Sequence, residues 1–474
     1  MPANSWSENN SYNELDEALS SLLSDLSEPE EEVLEALSTT SLRSSYAGRR
    51  RKAALVLTFV WGGTIALHLV SWGSLFVIGL TTIFGIHALR IVFARPRRQP
   101  KPLSDEDLAD SPFVSLLVAA KNEEAVIGNL VNLLCNLDYP NDKYEVWVID
   151  DNSTDKTPII LAQMKRQYSH LKVLQRMAGA TGGKSGALNQ VLPLTKGEIL
   201  AVFDADADVS PDLLRQVLPL FAQSKVGAVQ MRKAIANAEE NFWTKGQMTE
   251  MALDGYYQQQ RVAIGGIGEL RGNGQFVRRK ALERCGGWNE ETITDDLDLT
   301  LRLHLDRWDI EFLSFPAVQE EGVTNAIALW HQRNRWAEGG YQRYLDYWHL
   351  IVRNHMGTGK TWDLLLFMLI QYILPIAQIP DLLMAVARNR APVLAPVTGL
   401  SVSLAFFWMF NGLKRTLKEE KLSVSTVFIL MFQTLRGNIY LFHWLAVMAS
   451  TTARMSVRPK RLKWVKTVHQ GNQN

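Results

Sequence analysis

The apolar positions of this chain follow two different patterns. Two long apolar stretches lie at 53–70 and 74–93, and three more lie at 364–386, 391–410 and 423–450. Each is close to or longer than the roughly 20 residues that an α-helix needs to cross a bilayer. In the middle of the chain the apolar runs are short and alternate with amphipathic segments. The pattern predicts a membrane hairpin, a globular domain and a second membrane region, in that order.

The charges beside the first two apolar stretches predict their orientation. Four basic residues at 49–52 precede the pair, and Arg95, Arg97 and Arg98 follow it. Positively charged flanks favour the cytoplasmic side of a membrane. We therefore expect a transmembrane hairpin over 49–98 with both ends in the cytoplasm. This orientation predicts a multi-pass membrane protein whose central domain faces the cytoplasm.

The last apolar stretch predicts a turn within the membrane region. Three simple crossings between 362 and 452 would place the basic tail at 453–474 outside, against the same charge bias. The sequence Arg-Gly-Asn at 436–438 interrupts this stretch, and such residues are costly at mid-bilayer unless they face protein or water. We predict that the chain turns back there and that the tail is cytoplasmic. The alternative is that Pro375 and Pro380 break the first of the three stretches.

Short β-branched and apolar runs in the central region predict a mostly parallel sheet. They alternate with helical segments, among them 123–137 and 211–221, which is typical of an α/β domain with helices on both faces of the sheet. Ligands bind to such sheets at the carboxyl ends of the strands. The predicted strands are 113–119, 144–149, 171–174, 199–203 and 226–230.

Composition and charge exclude several classes of protein. The 474 residues are too many for one small core, and a formal net charge of +1 provides no general field that would attract nucleic acid. Two cysteines, Cys135 and Cys285, cannot form the framework of a secreted disulfide protein. The acidic, serine-rich stretch at 1–48 predicts a disordered tail, and leucines on one helical face leave a short amphipathic helix as the alternative.

Paired carboxylates follow two of the predicted strands. Asp150 and Asp151 come after the second strand, and Asp204 and Asp206 come after the fourth. A leaving diphosphate carries charge that a hard cation such as Mg²⁺ neutralises, and one or two carboxylates suffice to hold this ion. We predict that Asp206 and Asp204 hold the metal and that Asp204 also faces the nucleotide ribose. Asp150 and Asp151 are predicted to bind the base and sugar of the nucleotide. Solvated loops and helix caps are the alternative, and Asp208 is expected to be such a cap.

A second acidic cluster lies at the start of a predicted helix. Asp295, Asp296 and Asp298 follow Thr294. An acceptor alcohol loses its proton in the transition state of a transfer reaction, and a positioned carboxylate that accepts it contributes about 10²–10⁴-fold in rate. Asp296 is the predicted base. The alternative is that these side chains only complement the positive end of the helix.

The sequence Gln332-Arg333-Asn334-Arg335-Trp336 predicts contacts with phosphate. The guanidinium groups of Arg333 and Arg335 can clamp phosphate oxygens, and Trp336 can form an apolar wall beside a sugar or an acceptor. Taken alone, the pentapeptide could equally be a basic patch that contacts lipid headgroups.

Taken in order, these residues resemble the membrane-bound glycosyltransferases of family 2, which include cellulose, hyaluronan and glycolipid synthases. The resemblance covers roughly 113–340 and implies an inverting transfer on a GT-A fold, in a domain at 110–340. It supports Asp296 as the base, places Lys184 at the nucleotide site, and places the motif from Gln332 to Trp336 at the diphosphate and acceptor. The stretches that carry it are Lys121-Asn122-Glu123-Glu124, Asp150-Asp151, Lys184-Ser185-Gly186-Ala187-Leu188-Asn189, Asp204-Ala205-Asp206, Thr294-Asp295-Asp296 and Gln332-Arg333-Asn334-Arg335-Trp336.

Departures from the common family pattern favour a non-polymerising member. The segment Gly272-Asn273-Gly274-Gln275 replaces the aromatic and cysteine-containing acceptor motif of cellulose synthases. Asp295 stands where many members have Glu, which keeps the carboxylate.

The arrangement of the whole chain is most similar to that of the glycolipid-forming members. This similarity implies UDP-glucose as the donor, the free hydroxyl of 1,2-diacylglycerol as the acceptor, a β-linked product, and Mg²⁺ as the cofactor with Mn²⁺ as the alternative. The aromatic and basic stretch at 341–361 predicts a helix in the headgroup layer, or otherwise an ordinary surface helix. A processive polysaccharide synthase and a non-catalytic membrane scaffold are the alternative functions, and the oligomeric state is left open.

Overall fold

The computed structural model of the chain describes residues 48–417 and 423–458. The hypotheses for the acidic tail at 1–48, apart from its last residue, lie outside these residues, as does most of the basic tail at 453–474. The described part contains one mixed sheet with helices on both faces and a set of long apolar helices.

The two apolar stretches near the N-terminus form two helices joined by a three-residue turn. They are α1, Arg49–Leu69, and α2, Gly73–Val92. Gly73 is required at this turn because a Cβ atom there would lie 1.9 Å from the carbonyl oxygen of Leu67. The turn therefore depends on a close backbone approach that only glycine allows.

The central region forms the predicted α/β domain. Its strands are β1 Val114–Ala120, β2 Tyr144–Asp150, β3 Leu171–Gln175, β4 Ile199–Phe203, β5 Val226–Ile235, β6 Gln275–Arg278 and β7 Asp309–Glu320. Its helices are α3 Ile127–Cys135, α4 Thr157–Gln167, α5 Gly183–Val191, α6 Leu213–Val217, α7 Phe242–Ala263, α8 Arg279–Arg284 and α9 Asp295–Leu305. Short 3₁₀ turns lie at Asp107–Asp110, Leu192–Leu194 and Leu218–Ala222.

The seven strands are ordered β3-β2-β1-β4-β6-β5-β7 in the sheet. Neighbouring strands are parallel except at β6, which is antiparallel to both β4 and β5. The five predicted strands and the mostly parallel sheet are confirmed. The hydropathy pattern missed β6 because it is only four residues long, and it missed β7 because charged residues and Pro316 interrupt its apolar run.

Both faces of the sheet are buried, which explains the nearly continuous apolar runs of the central strands. Leu116 and Val118 of β1 pack into one apolar layer, and Leu117 between them packs into the layer on the opposite face. In β4, Phe203 and Val202 divide between the layers in the same way. The buried sheet therefore provides a rigid edge for the residues that follow these strands.

The C-terminal part of the described chain is entirely helical. Its helices are α10 Ala326–Val352, α11 Thr358–Met368, a π-helical turn at Leu369–Ile373, α12 Leu374–Arg388, α13 Ala395–Thr416, α14 Val424–Leu441 and α15 His443–Val457. Within the described ranges, four helical stretches are long and apolar enough to cross a membrane: α1, α2, the combined stretch Thr358–Arg388, and α13. Neither Pro375 nor Pro380 breaks the stretch that contains them.

The predicted turn at 436–438 is wrong. These residues lie inside α14, and the chain breaks instead at Phe442, between α14 and α15. The polar residues need no turn because they face protein: α14 packs against α7 and α13, and the Asn438 amide contacts the sulfur of Met409. The two last helices also have different neighbours, since α15 packs against α1, α10 and α12.

The stretch at 341–361 is not a helix of its own. Its first part is the C-terminal half of α10, the helix that also carries Trp336, and its last part belongs to α11. Two charged side chains of this half are buried in ion pairs, Arg343 with Glu269 at 3.0 Å and Asp346 with Arg49. The aromatic and basic composition thus supplies internal packing between α10, α1 and the sheet domain.

Adding one methyl group at Gly437 is expected to destabilise the protein. A Cβ atom there would lie 2.4 Å from the Met409 sulfur and 2.5 Å from the Thr249 hydroxyl. Gly437→Ala should therefore lower the free energy of unfolding by about 1–3 kcal/mol, which is typical of overpacking, and lower the Tm in detergent. Gly399→Ala in α13 is the matched control because no atom lies within 4 Å of its Cβ position. Equal Tm values for both variants would contradict the close packing of α14.

Candidate active site

One cavity of about 650 Å³ brings together most of the residues that the sequence indicated. It begins at the carboxyl end of β4 and extends between the apolar helices. The indicated residues that line it are Lys184, Asp204, Asp206, Asp295, Asp296, Gln332, Arg335 and Trp336. These side chains come from β4, α5, α9 and α10, so the fold gathers segments that are more than a hundred residues apart.

Asp204 and Lys184 form an ion pair at the carboxyl end of β4. The Lys184 ammonium lies 2.6 Å from Oδ1 of Asp204, and the backbone N–H of Asp204 donates to the Asn273 side chain. Burial would raise the pKa of Asp204, but the charge and hydrogen bond of Lys184, together with the charges of Lys233 and Arg335, outweigh burial and hold the pKa below its usual value. Burial opposes the charge on Lys184 as well, and Asp204 and Asp295 together raise its pKa. Both groups are therefore charged at neutral pH.

Asp206 lies two residues further along the same strand end. Its Oδ2 accepts a hydrogen bond of 3.0 Å from the backbone N–H of Glu321, which orients the carboxylate beside the cavity. In 48–417 and 423–458, no group of three or more His, Cys, Asp and Glu side chains could hold a metal ion. An ion held by Asp206 and Asp204 would take its remaining oxygen ligands from phosphate and water. That donor set fits Mg²⁺.

Asp150 and Asp151 order the loops beside the cavity and are not among the side chains that line it. Asp150 is 1% exposed, and its Oδ1 accepts from the backbone N–H of Ser153 at 3.0 Å. Its Oδ2 is buried and has no hydrogen-bond partner among the described residues. Such a group is costly to leave unpaired, which fits a ligand that donates a hydrogen bond there.

Arg176 is a functional candidate that the sequence analysis missed. It follows β3 directly, and its guanidinium lies 2.6 Å from Asp151 and 2.6 Å from the carbonyl oxygen of Thr181. A third hydrogen bond of 3.2 Å reaches the carbonyl oxygen of Gly183. Arg176 thereby fixes the loop that leads into α5 and Lys184. Its position at the carboxyl end of a parallel strand was the available signal.

Asp296 lies in the first turn of α9 with one oxygen held in place. Its Oδ1 accepts from the backbone N–H of Leu297 at 2.8 Å, and the loop at Gly272 approaches its other oxygen. Burial, together with the negative charge of Asp295, raises the pKa of Asp296 to about 6. A carboxylate with this pKa is mostly ionised at neutral pH and remains a useful base.

Asp298 has a structural role in the same turn. It is buried, and it accepts hydrogen bonds from Arg302 at 2.7 Å, from Tyr347 at 2.9 Å and from Asn289 at 2.9 Å. The cluster therefore divides: Asp295 and Asp296 line the cavity, whereas Asp298 joins α9 to α10.

The motif from Gln332 to Trp336 is divided by the helical phase of α10. Gln332, Arg335 and Trp336 line the cavity, and Arg333 does not. Gln332, Arg335 and Trp336 are spaced i, i+3 and i+4 and therefore share one face of the helix, whereas Arg333 is offset by one residue and contacts Glu250 of α7. It is fully buried and pairs with Glu250, and its guanidinium carbon lies 4.0 Å from the centroid of the Trp336 ring. Of the two guanidinium groups that were predicted to contact phosphate, that of Arg335 lines the cavity and that of Arg333 does not.

Burial lowers the pKa of Arg335, and the carboxylates of Asp204 and Asp296 oppose this effect. An arginine remains protonated under these conditions. Lys233, at the far end of β5, adds a second cation that the sequence analysis did not identify. Its ammonium lies 2.7 Å from Glu320 and 5.5 Å from the centroid of the Trp336 ring. Arg335 and Lys233 line the same cavity as the carboxylates, and their positive charge suits an anionic leaving group.

The far half of the cavity is mostly apolar. Helices α7 and α11 to α15 contribute its walls, together with Phe84 of α2. The apolar lining includes Leu253, Phe367, Ile370, Leu374, Pro375, Leu382, Val402, Ala405, Trp408, Leu441, Phe442, Leu445 and Met448. A single cavity thus connects a charged end at the sheet with an apolar end among the helices.

The fold and the site together define a glycosyltransferase of the GT-A class. Residues 111–339 match the family described as "Glycosyltransferase like family 2". The mannosyltransferase of Pyrobaculum calidifontis, solved in complex with GDP-Man and Mn²⁺, has the same fold with a TM-score of 0.53 and 20% identity, and the match covers 82% of this chain and 99% of that one.

Relatives that match over the full length identify a particular group within this class. The β-monoglucosyldiacylglycerol synthase of Nostoc sp. is 70% identical over 471 residues, covering 99% of each chain. The synthase of the same name from Synechocystis sp. is 55% identical over 472 residues, covering 99% of this chain and 97% of the relative. The chain therefore belongs to the β-monoglucosyldiacylglycerol synthases, a membrane-associated branch of the family 2 glycosyltransferases.

Proposed function

We propose that this protein transfers glucose from UDP-glucose to the free hydroxyl of 1,2-diacylglycerol with inversion, and so produces β-monoglucosyldiacylglycerol. The observation that carries this proposal is the continuity of the cavity. Asp296 and the charged edge of the sheet lie at one end, and the apolar helices line the other. A substrate with one reactive hydroxyl and a long apolar remainder matches both ends at once.

In the proposed reaction Asp296 accepts the proton of the acceptor hydroxyl. The hydroxyl oxygen attacks the anomeric carbon of glucose, the bond from that carbon to the diphosphate oxygen breaks, and UDP leaves with the electron pair. Attack from the face opposite the leaving group inverts the anomeric centre. Lys184 and Arg335 line the cavity beside the carboxylates, where their charges stabilise the diphosphate as negative charge develops.

Asp206 and Asp204 are the proposed ligands of a divalent metal, Mg²⁺ or alternatively Mn²⁺. When bound, the ion would neutralise the charge of the leaving diphosphate. We assign Asp150 and Asp151 to the nucleotide, Asp150 through its unpaired buried oxygen and Asp151 through the loop that Arg176 holds. Gln332 and Trp336 are assigned to the sugar and acceptor side of the cavity.

The proposed orientation is that of a multi-pass membrane protein with the catalytic domain in the cytoplasm. Its support is the basic residues at both ends of the α1–α2 hairpin, which favour the cytoplasmic side. Several large apolar side chains of these helices are exposed, for example Phe59 at 82% and Leu75 at 70%. Such surfaces are suited to lipid rather than to water.

A processive polysaccharide synthase fits this cavity less well. A growing glucan is polar along its whole length, whereas the path away from Asp296 is lined by side chains such as Phe367, Leu374 and Met448. A non-catalytic scaffold would not need to keep Asp204, Asp206, Lys184 and Arg335 in one cavity. A polysaccharide synthase would form an insoluble polymer, and a scaffold would form no glucosylated product.

The assay supplies purified protein with labelled UDP-glucose, Mg²⁺ and dioleoylglycerol. The expected product is one organic-soluble monoglucosyl lipid, and its formation should stop when EDTA removes the metal and resume with added Mg²⁺ or Mn²⁺. Asp206→Asn should lower kcat/KM by about 10²–10³-fold, since one metal ligand is lost. Insoluble polymer as the product, or full activity in EDTA, would contradict the proposal.

A further inference from the structure

Two apolar residues of the cavity wall, one on α12 and one on α13, are exposed on neighbouring helices. Leu382 of α12 and Val402 of α13 both line the cavity, and they are 52% and 45% exposed. Each residue lies on a helical stretch that is long and apolar enough to cross a membrane. The cavity therefore has an apolar exit between α12 and α13, on a surface suited to lipid.

Polar groups on the same wall lie between this exit and the catalytic carboxylates. Gln371 belongs to the π-helical turn, a feature that is frequent at functional sites, and it lines the cavity together with Gln378. The Gln378 amide donates a hydrogen bond of 2.7 Å to the Thr398 hydroxyl, which joins α12 to α13. Amide donors at this depth match the ester carbonyl groups of a glycerolipid, which lie between its hydroxyl and its acyl chains.

We infer that α12 and α13 form a lateral entrance through which the acceptor lipid reaches Asp296 directly from the bilayer. This inference rests on the proposed function and extends it. The acyl chains occupy the apolar half of the cavity and leave it between Leu382 and Val402, while the ester groups lie beside Gln371 and Gln378. The nucleotide end, at Lys184 and Asp206, remains separate from this path.

Ala405 allows a direct test because its small side chain lines the cavity wall on α13. Ala405→Trp fills the space of several methylene groups, and the loss of their burial weakens binding by about tenfold or more. We expect its KM for dioleoylglycerol to rise by at least that factor, whereas its KM for dihexanoylglycerol, whose chains are too short to reach the exit, stays near the wild-type value. UDP binding should be unchanged, which shows that the variant is folded.

Ser403→Trp is the matched control because Ser403 lies on the same helix, is exposed, and is not among the residues that line the cavity. It should keep wild-type kinetics with both acceptors. A second variant at the exit, Val402→Trp, should reproduce the selective loss of Ala405→Trp.

Two results would overturn the lateral entrance. One is wild-type kinetics of Ala405→Trp and Val402→Trp with dioleoylglycerol; the other is an equal loss with long-chain and short-chain acceptors while UDP binding is retained. Failure of the proposed function is distinguishable from both, since the wild-type protein would then glucosylate neither acceptor.

Discussion

Asp296→Asn is expected to abolish transfer while leaving donor binding nearly intact. Asparagine has almost the same shape but cannot accept a proton, so the loss in kcat should be about 10²–10⁴-fold, the usual contribution of a general base. The dissociation constant for UDP should stay within about threefold of the wild-type value, an effect below 1 kcal/mol. Transfer is measured with labelled UDP-glucose and dioleoylglycerol, and UDP binding by calorimetry.

The pH dependence of the wild-type enzyme should report the same group. The pKa of Asp296 is raised to about 6 by burial and by the charge of Asp295. Below this pH the carboxylate is protonated and cannot accept the hydroxyl proton, so kcat/KM should fall about tenfold for each further pH unit. At higher pH the activity should level off.

The same pKa shift predicts the sign of a stability effect. A raised pKa means that the folded state binds this proton more tightly than the unfolded state, so stability is lost as the pH rises from about 4 towards 6. At neutral pH the ionised carboxylate therefore destabilises the fold. Asp296→Asn, which carries no charge, should keep or raise the Tm while removing activity.

Asp208→Asn is the control for the measurements on Asp296→Asn. Asp208 follows the same strand as Asp204 but does not line the cavity. It should leave both kcat and the acid limb of the pH profile unchanged. Undiminished turnover of Asp296→Asn would remove Asp296 as the base, and an acid limb that persists in its residual activity would assign the titration to another group.

Methionine substitutions at Arg333 and Arg335 should have opposite effects, although the two residues belong to one pentapeptide. Arg333 is fully buried and paired with Glu250, so Arg333→Met removes the ion-pair partner of the Glu250 carboxylate. Breaking such a pair costs about 3–5 kcal/mol, and the Tm in detergent should fall clearly. Arg335→Met should keep the Tm and lower kcat/KM by about 10²–10³-fold, since one cation beside the leaving diphosphate is lost.

A double variant tests whether the loss of stability in Arg333→Met comes from its interaction with Glu250. Glu250→Gln with Arg333→Met should destabilise less than the sum of the single changes, because the two side chains interact directly. UDP binding distinguishes the roles: it should be weakened in Arg335→Met and unchanged in folded Arg333→Met. A stable Arg333→Met protein with weakened UDP binding would restore the phosphate contact that the sequence pattern indicated.

The sequence predicted the carboxylates of the site better than it predicted their neighbours. Asp204, Asp206 and Asp296 were recognisable because they follow apolar strands or open a helix, and these local positions determine which edge of the sheet they occupy. Lys233 and Glu250 had no comparable signal. They reach the cavity from β5 and α7 only after the sheet and the helices have packed together.

In the helical region, too, the sequence pattern did not indicate which residues would become neighbours. The apolar stretches were found from their length, but 436–438 was assigned to a turn because its polarity is unfavourable in lipid. The structure places Gly437 against Met409 and Thr249 instead. A sequence records how polar a residue is, whereas its neighbours decide whether that polarity faces lipid or protein.

The sequence by itself determined the alternation of strands and helices, the long apolar segments, and the chemical groups available for transfer, because these depend on local periodicity and on residue type. Only the tertiary structure decided that Arg335 faces the cavity and Arg333 the protein interior, that Asp298 is structural, and that the catalytic end is continuous with an apolar path. Those properties depend on the packing of α10 to α15 against the sheet domain. Packing of this kind joins residues that are distant in the chain, and no local pattern contains it.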